Sequence, residues 1–186
     1  MPILPEEPFL YPEGLFAAPP APRPEGQRWW VMHTRPRTEK ALSRKCLDRR
    51  LAFFLPLRRN YTRSRGRTLT SHVPLFPSYL FLLADEEARV SALTTNLVVH
   101  CLPVPDQAEL EGDLRGVHRL MLSGMTIAQE EQLTPGTPVE IVSGPLAGLR
   151  GKVLSKGRKV TFIVEVTFLH QGARVEIDAS MLAKVG

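Results

Sequence analysis

Cysteine is scarce in this chain. Only Cys46 and Cys101 occur, too few for a disulfide framework and in no zinc-binding pattern, which fits a reducing cytoplasm. There is no Cys-x-x-Cys or His-x-x-x-His, and the five histidines (His33, His72, His100, His118 and His170) are dispersed. From such a set no metal, no cofactor and no catalytic residue is expected, and the chain reads as a non-enzyme. Long apolar runs are absent too: none approaches the roughly 18–20 residues that cross a bilayer. The N-terminus lacks a basic segment followed by an apolar stretch, so the expectation is a cytoplasmic protein with neither a secretory signal nor a membrane partner.

Proline, by contrast, is plentiful. Its seventeen copies are nearly twice the roughly 5% of an average chain. Eight fall in residues 1–27, beside Glu6, Glu7, Glu13 and Glu25 and a single base, Arg23. That density interrupts helices and sheet ladders, so residues 1–27 are expected to be an irregular N-terminal extension. Charge is just as uneven. The formal total of +5 conceals residues 28–76, where thirteen Lys and Arg face only Glu39 and Asp48, a net of +11. Residues 1–27 carry −3, residues 77–133 carry −6 and residues 134–186 carry +3.

Hydrophobic periodicity supplies the elements. Trp29–Thr34 reads as a strand, aromatic and β-branched. Pro36 is expected at the first position of an amphipathic helix over Arg37–Leu51, in which Ala41, Leu42, Cys46 and Leu47 recur at helical spacing. Cys46 on that stripe reads as a small core residue, not a reactive thiol. Ala52–Tyr61 is the next expected strand, Arg63-Ser64-Arg65-Gly66-Arg67 a hairpin tip and Thr68–Val73 its return. Across Pro74–Leu83, alternation puts Pro77, Tyr79 and Phe81 on one face and Leu80 and Leu82 on the other, with the prolines at the strand's start. Asp85-Glu86-Glu87 opens a short helix, Leu97–Leu102 reads as a last strand, and Asp106–Leu122 as a further amphipathic helix. The order β-α-β-β-α-β with an extra helix predicts an α+β fold, a ferredoxin-like α/β sandwich over residues 28–122. Residues 123–134 are expected to be a linker. Val139–Val142, Leu149–Leu154, Val160–Phe168 and Arg174–Ile177 then predict a small SH3-like β-barrel over residues 135–186. The β-branched run from Val160 favours strand over helix.

Three features bear on function. Gly144–Lys152 looks superficially like a phosphate loop, but Leu146 stands where the first Walker glycine belongs and Val153 where Ser or Thr should bind magnesium. It reads as a turn between strands, with glycine where φ is positive. Arg58, Arg59, Arg63, Arg65 and Arg67 fall within ten residues with no acid between them. So dense a cluster repels itself beyond what solubility requires, and arginine forks suit phosphate, so an anionic partner met through its backbone is expected. Finally, residues 75–83 are apolar on both faces, which predicts one face packed inside and the other docking something.

Trp29-Trp30-Val31-Met32-His33-Thr34-Arg35-Pro36-Arg37 with Glu39-Lys40-Ala41, then Pro74-Leu75-Phe76-Pro77-Ser78-Tyr79-Leu80-Phe81, resemble the NGN domain of the NusG family of transcription elongation factors, in its antiterminator branch of RfaH-like and UpxY-like proteins. Residues 139–153 resemble the KOW motif of that family, through Val139, Ile141, Gly144, Pro145, Gly148, Gly151 and Val153. The resemblance covers about residues 28–186, leaving the proline-rich extension outside it.

The resemblance implies an NGN domain that binds RNA polymerase and a KOW barrel that recruits a second factor, a small-subunit ribosomal protein or a termination factor. Val31, His33, Phe76, Pro77, Tyr79 and Phe81 match positions that grip the clamp helices of the largest polymerase subunit. The His-Thr motif that meets the gate loop in relatives is missing here, and Arg89 and Ser91 stand in its region. Arg35 and Arg37 match basic positions near upstream or non-template DNA, and Arg63, Arg65 and Arg67 would reach nucleic acid or the polymerase surface. A monomer that suppresses pausing and termination is implied. The alternative is a KOW-containing RNA-binding or ribosome-associated protein, which has no need of the aromatic strand at Tyr79.

Overall fold

The computed structural model describes residues 6–17, 22–131, 136–156 and 159–185. Parts of the expected extension (1–5 and 18–21), linker (132–134) and barrel (135, 157–158 and 186) lie outside the described residues. The elements run in chain order as β1 (Leu10–Tyr11), β2 (Arg28–Thr34), α1 (Glu39–Asp48), β3 (Ala52–Phe54), β4 (Leu57–Ser64), β5 (Arg67–Pro74), β6 (Tyr79–Ala84), α2 (Glu86–Leu93), β7 (Val98–Pro103) and α3 (Gln107–Leu122). They continue with β8 (Ala128–Glu130), β9 (Thr137–Ile141), β10 (Arg150–Lys156), β11 (Lys159–Val166), β12 (Gln171–Ile177) and β13 (Leu182–Lys184). Two units result: one from residues up to Leu57 together with His72–Gln107, the other from Arg58–Ser71 together with Ala108 onwards.

The first unit is organised by a five-stranded antiparallel sheet in the order β1-β3-β6-β2-β7. Its core includes Trp29, Val31, Met32, Leu42, Phe53, Phe54, Leu80, Phe81 and Leu82, all without appreciable solvent contact. Helix α1 starts at Glu39, two residues later than its periodicity predicts. Arg37 has φ of 64°, so the chain turns after Pro36 before helical geometry can begin. The helix buries Leu42, Ser43 and Cys46, and ends where Arg50 enters the left-handed region at φ 54°. Burial pushes the Cys46 thiol up to about 12, so it packs as an uncharged group. Helix α2 is capped as expected, with the Asp85 carboxylate accepting the Ala88 N–H at 2.8 Å.

The stretch Ala52–Tyr61, expected as one strand, is two. Pro56 has no N–H for a ladder, and there the chain leaves the five-stranded sheet after β3 and enters β4, which pairs only with β5. The proline-rich segment contributes β1, which pairs along the outer edge of β3 through Leu10 with Phe54 and Tyr11 with Phe53. The Leu55 N–H also donates to the Phe9 carbonyl at 2.7 Å.

The second unit holds a six-stranded antiparallel sheet in the order β13-β9-β10-β11-β12-β8. Val139, Ile141, Leu146, Leu149, Phe162, Val164, Val166, Ala173 and Val175 form its core. The β-branched run is strand through Val166 and then a 3-10 turn at Thr167–Leu169. Strand β8 lies within the segment expected to link two domains, with Glu130 opposite Gly172. Helix α3 packs on this sheet through a residue with no side chain: a β-carbon at Gly116 would stand 2.8 Å from Val164 Cγ1. Asp113 Oδ2 accepts the Thr167 N–H at 2.9 Å, and the Arg119 guanidinium donates to the Ala147 carbonyl at 2.8 Å. The result is the mixed α/β architecture expected, with three helices and antiparallel sheets among the described residues. No helix among the described residues is long and apolar enough to cross a membrane.

Candidate functional site

Strand register sorts the expected docking residues into rows. On one face of the first sheet, His33 of β2 lies opposite Tyr79 of β6 and, on its other side, His100 of β7. The next row on that face, two residues along each strand, is Phe54, Phe81, Val31 and Leu102. The row beyond is Ala52, Leu83 and Trp29.

Exposure grades along these rows. Val31, Phe54 and Phe81 have no accessible surface, and Phe76, set edge-on to Phe81 at 6.4 Å, has almost none. Tyr79 and His33 are half-buried, and Pro77 and His100 are exposed. The His33 ring lies 5.2 Å from that of Tyr79 and stacks on that of His100 at 5.9 Å, with planes 6° apart. Three rings therefore stand side by side across three strands, at the open end of an otherwise buried apolar face. Sequence alone does not single out His100. Its signal is non-local, since nothing within β7 says that His33 is its neighbour.

The Trp29 end of this face is covered by the N-terminal segment. Phe16 stacks on Trp29 at 6.0 Å and meets Phe54 edge-on at 5.1 Å. Glu7 accepts two hydrogen bonds from Arg44 at 2.7 and 2.8 Å, which ties the same segment to α1.

Arg89 and Ser91 are both engaged within the fold. The Arg89 guanidinium lies 5.0 Å from the Trp30 ring centre, with that of Arg28 4.3 Å from it, and Arg89 also pairs with Glu86. That hydrogen bond from Arg89 holds the Glu86 carboxyl below its ordinary range. Arg49, just past the end of α1, donates to the Ser91 carbonyl and, at 3.3 Å, to its hydroxyl. Arg35 and Arg37 are exposed in the turn that precedes α1.

Arg63, Arg65 and Arg67 surround the tip of the β4–β5 hairpin. Arg65 and Gly66 both have positive φ, 48° and 77°, the signature of the two-residue turn whose twist suits a hairpin. Every residue from Tyr61 to Thr70 is exposed, including Tyr61 at 56% and Leu69 at 55%. Both faces of this arginine ribbon therefore meet solvent. Arg35 and Arg37 belong to the first unit and the hairpin tip to the second.

In the second unit, residues 139–153 run from the end of β9 through a turn into β10. Val139 and Ile141 point into the core, and Val153 is half-buried. Gly144 and Gly148 take φ of 81° and 83°, as the turn reading requires, while Pro145 is exposed. The Gly148 N–H returns to the Ile141 carbonyl at 2.7 Å, which folds Leu146 inwards. Gly151 serves a different purpose. A β-carbon there would lie 2.4 Å from the Ile163 carbonyl oxygen and 2.7 Å from the Phe162 ring, so it is glycine for space.

Among the described residues, no group of three or more His, Cys, Asp or Glu is placed to hold a metal ion. The geometry supports non-covalent contact: a ring-lined patch at the end of a sheet and a cationic ribbon.

No curated protein matches the chain. Among solved structures, one describing domain interaction in Thermotoga maritima NusG is similar at 18% identity and a TM-score of 0.50, covering 86% of this chain and 98% of that one. A structure of the MjSpt4:Spt5 complex in conformation B also matches at 18% identity over 85% of this chain and 97% of that one, with a TM-score of 0.26. The sequence model of the family described as NusG, transcription termination factor nusG, matches residues 27–130, which include strands β2, β3, β6 and β7 of the ring-lined sheet. The chain belongs to the NusG family.

Proposed function

We propose that this chain is a transcription elongation factor of the antiterminator kind, allied to RfaH-like and UpxY-like proteins, that binds RNA polymerase and suppresses pausing and termination. The observation that carries this reading is the family match over residues 27–130, because it spans the sheet bearing Tyr79, His33 and His100. The clamp helices of the largest polymerase subunit would meet the exposed end of that face, at Pro77, Tyr79, His33 and His100. Val31, Phe76 and Phe81 would support it from beneath. Arg89 and Ser91 are the proposed gate-loop contacts. Arg35 and Arg37, with Arg63, Arg65 and Arg67, would meet non-template or upstream DNA. The KOW region, residues 135–186, would recruit a ribosomal protein or a termination factor. Binding that favours the elongating state of polymerase over the paused one is sufficient, and no covalent step is needed.

The test is a purified transcription assay comparing the chain with its His33→Ala/Tyr79→Ala variant. Both residues are partly exposed, so the fold should survive, and loss of polymerase binding and of pause suppression is expected. Phe81→Ala is the wrong probe, because emptying a fully buried phenylalanine site costs about 3–5 kcal/mol of stability. Unchanged read-through by the folded double variant would remove this face as the polymerase site.

A further inference from the structure

Between Phe76 and Tyr79 the chain makes a turn, closed by the Tyr79 N–H donating to the Phe76 carbonyl at 3.2 Å. Ser78 sits at φ 67°, in the left-handed region that a serine rarely occupies without help. Help comes from both sides. Its N–H donates to Glu39 Oε1 at 2.6 Å, and its carbonyl accepts the Thr34 N–H at 2.8 Å. Glu39 is the first residue of α1, where a carboxylate is favoured by the helix N-terminus, yet it is only 5% exposed. The Thr34 hydroxyl is also buried and without a hydrogen-bond partner among the described residues, while Ser78 itself is half-buried. A buried carboxylate is costly unless it is hydrogen-bonded, and the bond it makes goes to the backbone of the one turn residue that needs restraint.

We infer that Glu39 is a positioning residue for the docking face: by locking Ser78 it sets the directions of Pro77 and Tyr79, which flank it. This rests on the reading of those two residues as polymerase contacts. Helix α1 thereby acts on the face through one side chain without touching the partner.

The experiment uses the full chain and three variants, Glu39→Ala, Glu39→Met (similar volume, no oxygen) and Glu39→Gln (oxygen kept, charge removed). Ser78 amide exchange is measured by NMR in the free protein, and the affinity for purified RNA polymerase is measured alongside. In the Ala and Met variants, Ser78 exchange should quicken and polymerase binding weaken roughly tenfold, the lower end of the cost of stranding a donor since Ser78 is half-buried, while the Gln variant stays within about twofold of the parent. The Met variant keeps the test valid if the Ala variant does not fold. Ser78 exchange unchanged in the Met variant, or quickened exchange with unchanged polymerase affinity, would overturn the inference. Failure of the parent chain to bind polymerase, with Ser78 exchange still quickened in the Met variant, would refute the docking reading while supporting the hold of Glu39 on the turn.

Discussion

Substituting Gly151 with alanine separates two reasons for a glycine in and after the turn between β9 and β10. Gly151 lies in β10 opposite Val139, with the next residue, Lys152, opposite Ile163 of β11. The added methyl carbon would stand 2.4 Å from the Ile163 carbonyl oxygen and 2.7 and 2.9 Å from two atoms of the Phe162 ring. The first contact is backbone in a paired strand and the second is a fully buried ring, so neither can step aside without separating β10 from β11. Overpacking of this kind costs about 1–3 kcal/mol, and a clash with backbone belongs at the upper end, about 3 kcal/mol. Gly148 is the control. Its φ of 83° is left-handed but nothing lies within 4 Å of its missing β-carbon, so alanine there carries only conformational strain, about 1–2 kcal/mol. Tryptophan fluorescence is blind to both, because Trp29 and Trp30 belong to the first unit. Amide exchange at Phe162 and Val164 reports the second sheet directly, and a destabilisation of about 3 kcal/mol quickens exchange through global opening roughly a hundredfold. Gly151→Ala exchanging like the parent, or less affected than Gly148→Ala, would refute the spatial account.

Two further tests address charge. Burial pushes Asp113 up to about 6, outweighing the hydrogen bonds from Thr167, and the neighbouring Glu109 and Glu165 push the same way. Folding therefore favours its protonated form. The stability it contributes is complete below the ordinary carboxylate range and declines as pH rises through about 6. Asp113→Asn keeps an oxygen for the Thr167 N–H, so its second unit should lack that decline in urea midpoint; equal declines in parent and variant would refute the assignment. On the hairpin, Arg63→Gln/Arg65→Gln/Arg67→Gln should flatten the dependence of log K on log salt for duplex DNA by about 2–3, near 0.9 for each phosphate that the chain no longer neutralises. An unchanged slope would remove the ribbon from the nucleic-acid interface.

Much of the fold is legible in the sequence because it is local. Alternation in β6, the acidic opening of α2 and the β-branching of β11 each act within a few residues, so each predicts its element. The arginine hairpin is legible for the same reason: a two-residue turn at Arg65–Gly66 needs only its own backbone preferences, and an acid-free cluster is visible without reference to the fold. Periodicity misplaces the start of α1 because Pro36 suits a first helical position, yet Arg37 turns left-handed after it. The break at Pro56 is hidden inside a run whose flanking side chains all suit a strand.

The sequence by itself therefore determined the element types, the mixed α/β class, the concentration of positive charge and the family to which the chain belongs. Tertiary structure alone decided which of the proposed docking residues present a surface. Tyr79 and Phe81 are equivalent by alternation, but Phe81 lies in the buried middle row and Tyr79 at its open end, with His100 brought beside His33 by a pairing of strands far apart in the chain. It also decided why Gly151 is glycine and which backbone group Glu39 holds. Both answers depend on neighbours remote in sequence, and those distances exist only once the strands have paired.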